Sequence, residues 1–552
     1  MNLKNKLIGL SWLALVSTLM ACGNSDTSKD SSSNRSQKEN KQKISIMAEQ
    51  EIGSMNTLAS QDSDGFIAQN QVFEGLYTLD EKDNIIPAVA LDMPEISEDG
   101  LTYTIKLRED SVWSNGDPVT AHDFIYAWKR LANPETAANY GFLVDGTILN
   151  GSDVLLGKKG VNELGVKALD DYTVELTLEN PVPYFTSLLA FNPFYPQNEK
   201  FVTSEGNDYA MNSEHMLYNG PFVMEDWSNA STSWKFVKND QYWDSKSVKA
   251  DEINFQVIKE VGTAINLYDS KQLDFAFVSG EYASQRKDDP DFVATPSAYV
   301  YYFKLNQLRD GKDTIFANKN VRKAFGYAVD KESLVDSVLK DGSKAVYGFV
   351  PSDFVENPET GEDYRKEAGD FLVTDKKEAL KHWKEAQKEI GDTISIELLT
   401  TDGETDKKVA QYLQSQLEET LPGLKLTIRS VPQQNSIQLT RDSNYELAFG
   451  RWGPDYQDPM TYLANLRSGG NSNYGNPEYD AMLDEASTTL ANDPLKRWEE
   501  LIAAEKLLID QDAGIVPVYQ KYVTTLQNSK LKGIAHHNFG SPYSYKKAYL
   551  DD

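Results

Sequence analysis

The sequence predicts an α/β protein of at least two lobes, and two observations lead to this fold class: its length and the order of its elements. The chain has 552 residues, 40% of them hydrophobic, whereas a single core stops growing at about 250–300 residues. In the second half, an amphipathic helix over 376–390 stops at Gly391, and a strand follows at 394–399. A helix near 407–418 and a strand at 424–428 repeat this order. Such alternation predicts parallel pairing of the two strands.

Other elements show the same helical and strand periodicities. Residues 121–131 have the apolar spacing of a helix, and Asp493-Pro494 has the N-cap and first-turn proline of another. Alternating polar and apolar residues predict half-buried strands at 43–47, 102–107 and 173–178. The apolar face of the helix that begins after Asp493 is formed by Trp498, Leu501, Ile502, Leu508 and Ile509.

Residues 1–21 predict a signal peptide for export. Two lysines precede an apolar run over 7–20, which is too short to span a bilayer comfortably. The run ends in Leu19-Met20-Ala21-Cys22-Gly23, which resembles the lipobox of bacterial lipoproteins. That resemblance implies cleavage before Cys22 and a diacyl anchor on it, since two acyl chains anchor stably where one does not. The alternative is a plain secretory signal with a stray cysteine.

The polar residues 22–42 predict a flexible linker between the lipid and the folded body. We therefore expect the protein on the extracytoplasmic face of the cell membrane, at a Gram-positive cell surface.

Charge and cysteine content exclude several classes of protein. The formal net charge is −29, and removal of the first 21 residues takes it to −31. Such acidity argues against nucleic acid as a partner, because phosphate binding needs clustered Lys and Arg. Cys22 is the only cysteine, so the body has no internal disulfide and depends on its hydrophobic core.

The sequence lacks the motifs of catalysis and metal binding. It contains no GxxxxGK phosphate loop and no GxSxG nucleophile elbow. Its histidines form no HExxH pattern and have no cysteine partners. We therefore predict a protein that is not an enzyme and has no metal site and no cofactor. The five histidines are His122, His215, His382, His536 and His537.

A set of short segments recurs in a fixed order over nearly all of residues 44–550. The segments are NQVFEGLY (70–77), PAVA (87–90), DG (99–100), LREDSVWSNGDPVTAHD (107–123), NGPF (219–222), DQYW (240–243), NVRKAF (320–325), DK (330–331), WGPDYQDP (452–459) and IVPVY (515–519). Together they resemble the oligopeptide-, dipeptide- and nickel-binding family of ABC-transporter receptors, closest to its oligopeptide branch. Taken singly, such turn and aromatic residues have a structural role in the scaffold rather than a role in a binding site.

The resemblance implies a two-lobed periplasmic-binding-protein fold of the α/β class, with three domains. Two strands near 297–302 and 516–519 would cross between the lobes as a hinge, so that the lobes close over a ligand. The expected domains are domain I (43–63, 188–295 and 520–552), an inserted domain II (64–187) and domain III (296–519).

The resemblance also implies how a peptide is held. In the family, the Asp of a Trp-x-x-Asp-Tyr motif pairs with the peptide's α-amine, and here that residue is Asp455. The alternative is that Asp455 caps its loop. Arg451, Trp452 and Gly453 match the segment whose backbone pairs with the peptide, although Trp452 serves equally well as packing. A glycine at 453 would allow close backbone approach.

The opposite wall of the expected site is the segment Glu51, Ile52 and Gly53, and Tyr140 is a further candidate contact. A peptide between two such walls is bound by β-augmentation, which does not depend on its sequence. Some members place an Arg three residues before the motif Trp, where it binds the peptide's C-terminal carboxylate. Here that position is Phe449, which leaves open how the C-terminus is held.

The leading hypothesis is a monomeric receptor that captures short peptides and delivers them to the permease of an ABC importer. Its rival is a receptor for one signalling peptide on the same scaffold. A dipeptide-, nickel- or haem-binding member, a surface hydrolase and a chaperone-like lipoprotein are further alternatives.

Overall fold

The computed structural model describes residues 42–470 and 472–551. Eleven of the described strands form one large sheet: Lys43–Ala48, Phe222–Glu225, Ser233–Lys238, Glu252–Val257, Phe275–Val278, Phe292–Leu305, Lys344–Ala345, Ile394–Thr401, Leu424–Val431, Leu447–Trp452 and Ile515–Gln527. A four-stranded antiparallel sheet contains Glu95–Ile96, Thr102–Lys106, Val166–Asp170 and Thr173–Thr177. Paired short strands are Tyr77–Leu79 with Ile85–Pro87, Leu308–Arg309 with Lys312–Asp313, Leu531–Lys532 with Tyr549–Leu550, and Ala535–His536 with Tyr543–Ser544.

Two long antiparallel strands, Phe292–Leu305 and Ile515–Gln527, lie side by side in the middle of the large sheet. They contain both predicted hinge segments. On one side the sheet continues through Leu447–Trp452, Ile394–Thr401 and Leu424–Val431, the last two parallel to each other as predicted. On the other side it continues through Phe275–Val278, Lys43–Ala48, Glu252–Val257, Ser233–Lys238 and Phe222–Glu225.

The long strand Phe292–Leu305 contributes to two hydrophobic cores. Successive side chains of a strand point to opposite faces of the sheet. Tyr301 and Phe303 accordingly pack into one core, and Val300 and Tyr302 into the other. The result is the two-lobed α/β fold that the sequence predicts, whereas the bounds of its three domains remain a prediction.

Helices pack against the large sheet and against the four-stranded sheet. The predicted helix at 376–390 occurs as Lys376–Ile390, with Gly391 as its C-cap at φ 88°. Asp493 is the predicted N-cap, and its carboxylate accepts the backbone N–H of Lys496. The α-helices are Ser63–Val72, Ala121–Ala132, Gly151–Leu155, Phe185–Leu188, Glu199–Glu205, Val261–Asp269, Gly280–Arg286, Lys319–Ala328, Lys331–Leu334, Tyr364–Ala368, Lys376–Ile390, Glu404–Thr420, Gln433–Arg441, Met460–Leu463, Pro477–Ser487 and Pro494–Lys506.

Three of the recurring segments meet in a buried polar network. The Glu74 carboxylate accepts hydrogen bonds from the hydroxyl of Tyr242 and from the indole N–H of Trp243, the latter at 2.6 Å. The guanidinium of Arg108 stacks over the Trp243 ring at 3.0 Å, and the Lys546 ammonium donates to the Tyr242 hydroxyl at 2.7 Å. Burial raises the pKa of Glu74. None of these residues is in contact with the two main cavities, and a scaffold role remains our prediction for them.

The predicted signal peptide (1–21), Cys22 and all but the last residue of the predicted linker (22–42) lie outside the described residues. Within the described part of the chain, no helix has the length and apolar character needed to cross a membrane.

Candidate functional site

A cavity of about 720 Å³ lies between segments that precede both hinge strands in the sequence and segments that lie between the two hinge strands. Its size is typical of a ligand pocket. One wall comes from the helix Gln433–Arg441 and from residues 449–456, which form the end of the strand Leu447–Trp452 and the loop after it. The other wall comes from residues 61–63, 139–147 and 180–184.

Asp455 is a carboxylate of this cavity that no cation within residues 42–470 and 472–551 compensates. Its residue is 7% exposed, and burial raises the pKa of its carboxyl to about 8. Among the described residues no group hydrogen bonds to the carboxylate or forms an ion pair with it, although its backbone N–H donates to the Thr461 hydroxyl at 3.0 Å. Because an unpaired buried charge is costly, the site favours a cationic ligand group at this point.

The alternative role of Asp455, as a loop cap, is filled by Asp458. The Asp458 carboxylate accepts the backbone N–H of Met460 at 2.9 Å. It also accepts both terminal N–H groups of Arg497 at 2.8 Å in a buried bidentate pair. This pair, charge-assisted on both bonds, holds the loop that carries Asp455.

The strand that leads to Asp455 has one free edge at the cavity. The strand Leu447–Trp452 pairs with Phe292–Leu305 along its whole length. Its pairing with Ile394–Thr401 on the other side ends at Ala448. Among the described residues no strand continues along that second edge, so residues 449–452 can accept an added peptide strand there.

Arg451 and Trp452 both line the cavity and are both already bonded. The guanidinium of Arg451 donates to the Tyr301 hydroxyl at 3.1 Å and to the Ser63 hydroxyl at 3.3 Å. The indole N–H of Trp452 donates to the Thr461 carbonyl at 2.9 Å, and the ring packs against the larger core. Trp452 therefore serves as wall and as packing at once.

Gly453 lies at the cavity for a reason that sequence analysis did not anticipate. A Cβ at this position would lie 2.4 Å from the Tyr299 ring, so only glycine lets that ring pack against the backbone. The close approach that the sequence suggested for a peptide is made here by a side chain of the protein.

The structure does not bring Glu51, Ile52 or Gly53 to the lining of this cavity. The Glu51 carboxylate is paired with Lys259 at 3.2 Å, and Ile52 is buried in the core at 1% exposure. Gly53 leaves room for the contact between Asp62 and Gln434, because a Cβ there would lie 2.6 Å from the Asp62 carboxylate.

Asp62 and Ser63 occupy the wall that we expected from residues 51–53. Asp62 caps the helix Ser63–Val72 by accepting the Gly65 N–H at 2.8 Å, and it accepts the side-chain N–H of Gln434 at the same distance. An Asp-Ser pair before an apolar run is an N-cap signal, and that signal could have located this wall.

Tyr140 lines the cavity, as does Phe449. The Tyr140 ring packs edge-on against Phe66 and Phe191, with centroids 5.6 Å and 5.3 Å away. Burial and then the nearby Asp455 carboxylate raise the pKa of Tyr140. Phe449 is 2% exposed and packs on Phe303, so it offers a peptide only an apolar surface.

A second cavity of about 190 Å³ adjoins the first, and both are lined by Ser63, Tyr299 and Arg451. Its acidic lining includes Glu49 and Asp64. Burial and then the neighbouring Asp62 and Glu49 raise the pKa of Asp64 to about 8. Nothing in the sequence pattern set these carboxylates apart from the other acidic residues of the chain.

Direct contacts join the two walls of the larger cavity. The rings of Tyr184 and Tyr456 stack with centroids 4.2 Å apart and an angle of 8° between their planes. The Arg441 guanidinium donates to the Asn139 side chain, and Gln434 donates to Asp62. Each contact links residue numbers separated by more than 250 positions, so the walls are held together in this structure.

Comparison with known proteins identifies the family. The model of the bacterial extracellular solute-binding proteins, family 5 (middle), matches residues 84–474, which is well over half of the chain. The chain belongs to this family. Among the described residues of this solute-binding protein, no group of three or more His, Cys, Asp or Glu side chains is arranged to hold a metal ion.

Several members resemble this solute-binding protein over almost its whole length. A dipeptide-binding protein of Lactococcus lactis is 31% identical over 99% of each chain. The structure of Listeria monocytogenes OppA bound to peptide is 43% identical with a TM-score of 0.88, covering 93% of this chain and 100% of that one. The structure of the pheromone receptor PrgZ, which was solved with its mode of peptide binding, is 37% identical with a TM-score of 0.87 and the same coverage.

Proposed function

We propose that this protein captures short peptides between its lobes through their N-terminal amine and backbone, and delivers them to an ABC peptide importer. The single observation that carries the proposal is the Asp455 carboxylate, buried in the large cavity without a cationic partner among the described residues. A free peptide has one ammonium group at a defined end, whatever its sequence. A charge-assisted hydrogen bond to that group compensates the buried charge.

The free strand edge at residues 449–452 is the second peptide-binding element, after Asp455. A peptide whose ammonium contacts Asp455 can run along this edge and exchange main-chain hydrogen bonds with it. Main-chain bonds do not discriminate between side chains. Cavity space beyond the edge, partly filled by water, accommodates side chains of different size.

The same proposal covers the partners and the location. The protein acts as a monomer without catalysis, metal or cofactor, and its closed form docks on the membrane permease of the importer. Cys22 carries the lipid that keeps it on the extracytoplasmic face of the cell membrane. Similarity to peptide-binding proteins of importers supports the transport role.

Reception of one signalling peptide is the second candidate function. It is favoured by the similarity to a pheromone receptor, 37% identical over 93% of the chain. Both functions use the amine anchor, and they differ in how strongly the cavity selects side chains.

A random library of free-ended peptides, titrated against the soluble domain by calorimetry, tests the proposal. We expect broad micromolar binding for nutritional transport, and one strongly preferred peptide for signalling. Binding of no peptide would contradict both functions. Catalytic cleavage of the peptides, followed by mass spectrometry, would contradict the non-enzymatic role.

The lipid anchor has its own test. Mass spectrometry of the mature protein from bacterial membranes should show an N-terminal Cys22 with two acyl chains. The variant Cys22→Ala should leave the cells for the culture medium or remain uncleaved. A mature N-terminus elsewhere in the chain, without lipid, would favour the plain secretory signal.

A further inference from the structure

The large cavity holds a second uncompensated charge, the ammonium of Lys304. Lys304 lies on the long strand Phe292–Leu305, directly opposite Ala448 of the neighbouring strand. It lines the same cavity as Asp455. Among the described residues no carboxylate lies within ion-pair distance of its ammonium, and no group accepts a hydrogen bond from it. Its one charge-related contact is the Tyr302 ring, 5.7 Å away.

The other cations of this cavity are all bonded. Arg451 donates to Tyr301 and Ser63, and the remaining three arginines each have a side-chain partner. Those three pairs are Arg441 with Asn139, Arg467 with Asp484, and Arg497 with Asp458. Lys304 is therefore the cation in the described lining that is free to bind a ligand. Burial lowers its pKa to about 8, so it is still mostly protonated at pH 7.

We propose that Lys304 binds a carboxylate of the captured peptide whose amine lies at Asp455. This inference rests on the proposed peptide function and adds the second end of the ligand. It also answers the question raised by Phe449, which cannot pair with a carboxylate. A zwitterionic peptide then supplies a partner for each of the two side chains, with its chain along the free edge of residues 449–452.

The strand geometry sets the length of such a peptide. The Lys304 side chain lies over Gly450, since a Cβ at Gly450 would be 3.5 Å from the Lys304 Cε and 3.9 Å from its Nζ. From Gly450 to Asp455 the chain spans at most about 18 Å, at roughly 3.6 Å per residue. An extended peptide advances about 3.3 Å per residue, so about five residues suffice to reach both groups.

The carboxylate has two sources, the C-terminus or an acidic side chain, and matched peptides separate them. The probes are tetra-alanine with free ends, its C-terminal amide, its N-acetyl form, and the amidated peptide Ala-Ala-Asp-Ala. Each is titrated by calorimetry against the wild type, Lys304→Met and the exposed control Lys496→Met, whose side chain pairs with Asp493 on the surface.

If the C-terminus is the source, amidation should weaken binding to the wild type and to Lys496→Met by at least tenfold. Lys304→Met should bind both forms of tetra-alanine alike, while N-acetylation still weakens its binding. If a side chain is the source, the wild type should prefer amidated Ala-Ala-Asp-Ala over amidated tetra-alanine, and Lys304→Met should lose this preference. Lys304→Gln provides a second variant should the methionine variant fold poorly.

Two results would overturn the inference in different ways. If the wild type and Lys304→Met responded equally to every carboxylate, with N-acetylation still weakening binding, the peptide function would stand and Lys304 would have no part in it. If the wild type bound none of the four peptides, the peptide function itself would fail.

Discussion

Asp455→Asn should weaken the binding of a free-ended peptide by at least thirtyfold. The substitution keeps the shape of the side chain and removes the charge that faces the peptide ammonium. Losing one partner of a buried, hydrogen-bonded charge pair costs about 2–5 kcal/mol, and each 1.4 kcal/mol is about a factor of ten in the dissociation constant. Calorimetric titration with tetra-alanine measures the effect.

The N-acetylated peptide completes a double-mutant cycle with Asp455→Asn. Acetylation should weaken binding to the wild type strongly and binding to the variant little, because each change removes the same interaction. Asp442→Asn, a change at an exposed carboxylate bonded to Gln438, is the matched control and should bind as the wild type does. Additive effects of the two changes would mean that the amine contacts another group.

The contact between Asp455 and the peptide ammonium also predicts that peptide affinity has a pH optimum. Because the pKa of Asp455 is raised to about 8, the empty site holds mostly the neutral acid at pH 7. The peptide ammonium favours the carboxylate, so binding releases a proton and affinity rises between about pH 6 and pH 8. Above about pH 8 the peptide amine loses its own proton and affinity falls. Asp455→Asn should lose the rise but keep the fall.

Arg497→Met should lower the free energy of unfolding by about 3–5 kcal/mol, since it leaves the buried carboxylate of Asp458 without its bidentate partner. Chemical denaturation of the soluble domain measures this change. Peptide affinity should fall as well, because the same pair holds the loop that carries Asp455. Wild-type stability in this variant would show that the pair contributes nothing.

Two further variants control for general effects of arginine removal. Arg429→Met breaks an exposed pair with Glu397 at 3.2 Å and should cost no more than about 1 kcal/mol. The double variant Arg497→Met with Asp458→Asn should recover much of the lost stability, because it removes the stranded charge together with its partner. The double variant should recover less of the peptide affinity, since the loop that carries Asp455 still lacks the ion pair between Arg497 and Asp458.

Local signals predicted the elements of this fold well. The helix Lys376–Ile390 and its end at Gly391 follow from hydrophobic spacing and a left-handed glycine, both of which act within a few residues. The cap at Asp493 is equally local. The parallel pairing of Ile394–Thr401 with Leu424–Val431 was predictable because a helix joins them.

Local signals failed where the site depends on distant segments. Glu51 is only ten positions before the cavity-lining residues 61–63 in the sequence. Its carboxylate is nevertheless paired with Lys259, more than 200 positions away. In the alternating strand Phe292–Leu305, Lys304 looks like any exposed polar residue. Only the pairing with the strand Leu447–Trp452 places it over Gly450 in a buried cavity.

By itself, the sequence determined the α/β class, the positions of most helices and strands, and the family, whose motifs occur in a fixed order. The tertiary structure alone decided which charges stay unpaired. Asp455 is one of many acidic residues, and only the fold leaves it buried in the cavity with no cationic partner among the described residues, while Asp458 pairs with Arg497. Periodicity and caps act over neighbouring residues, whereas burial and charge compensation are settled between segments that meet only when the chain has folded.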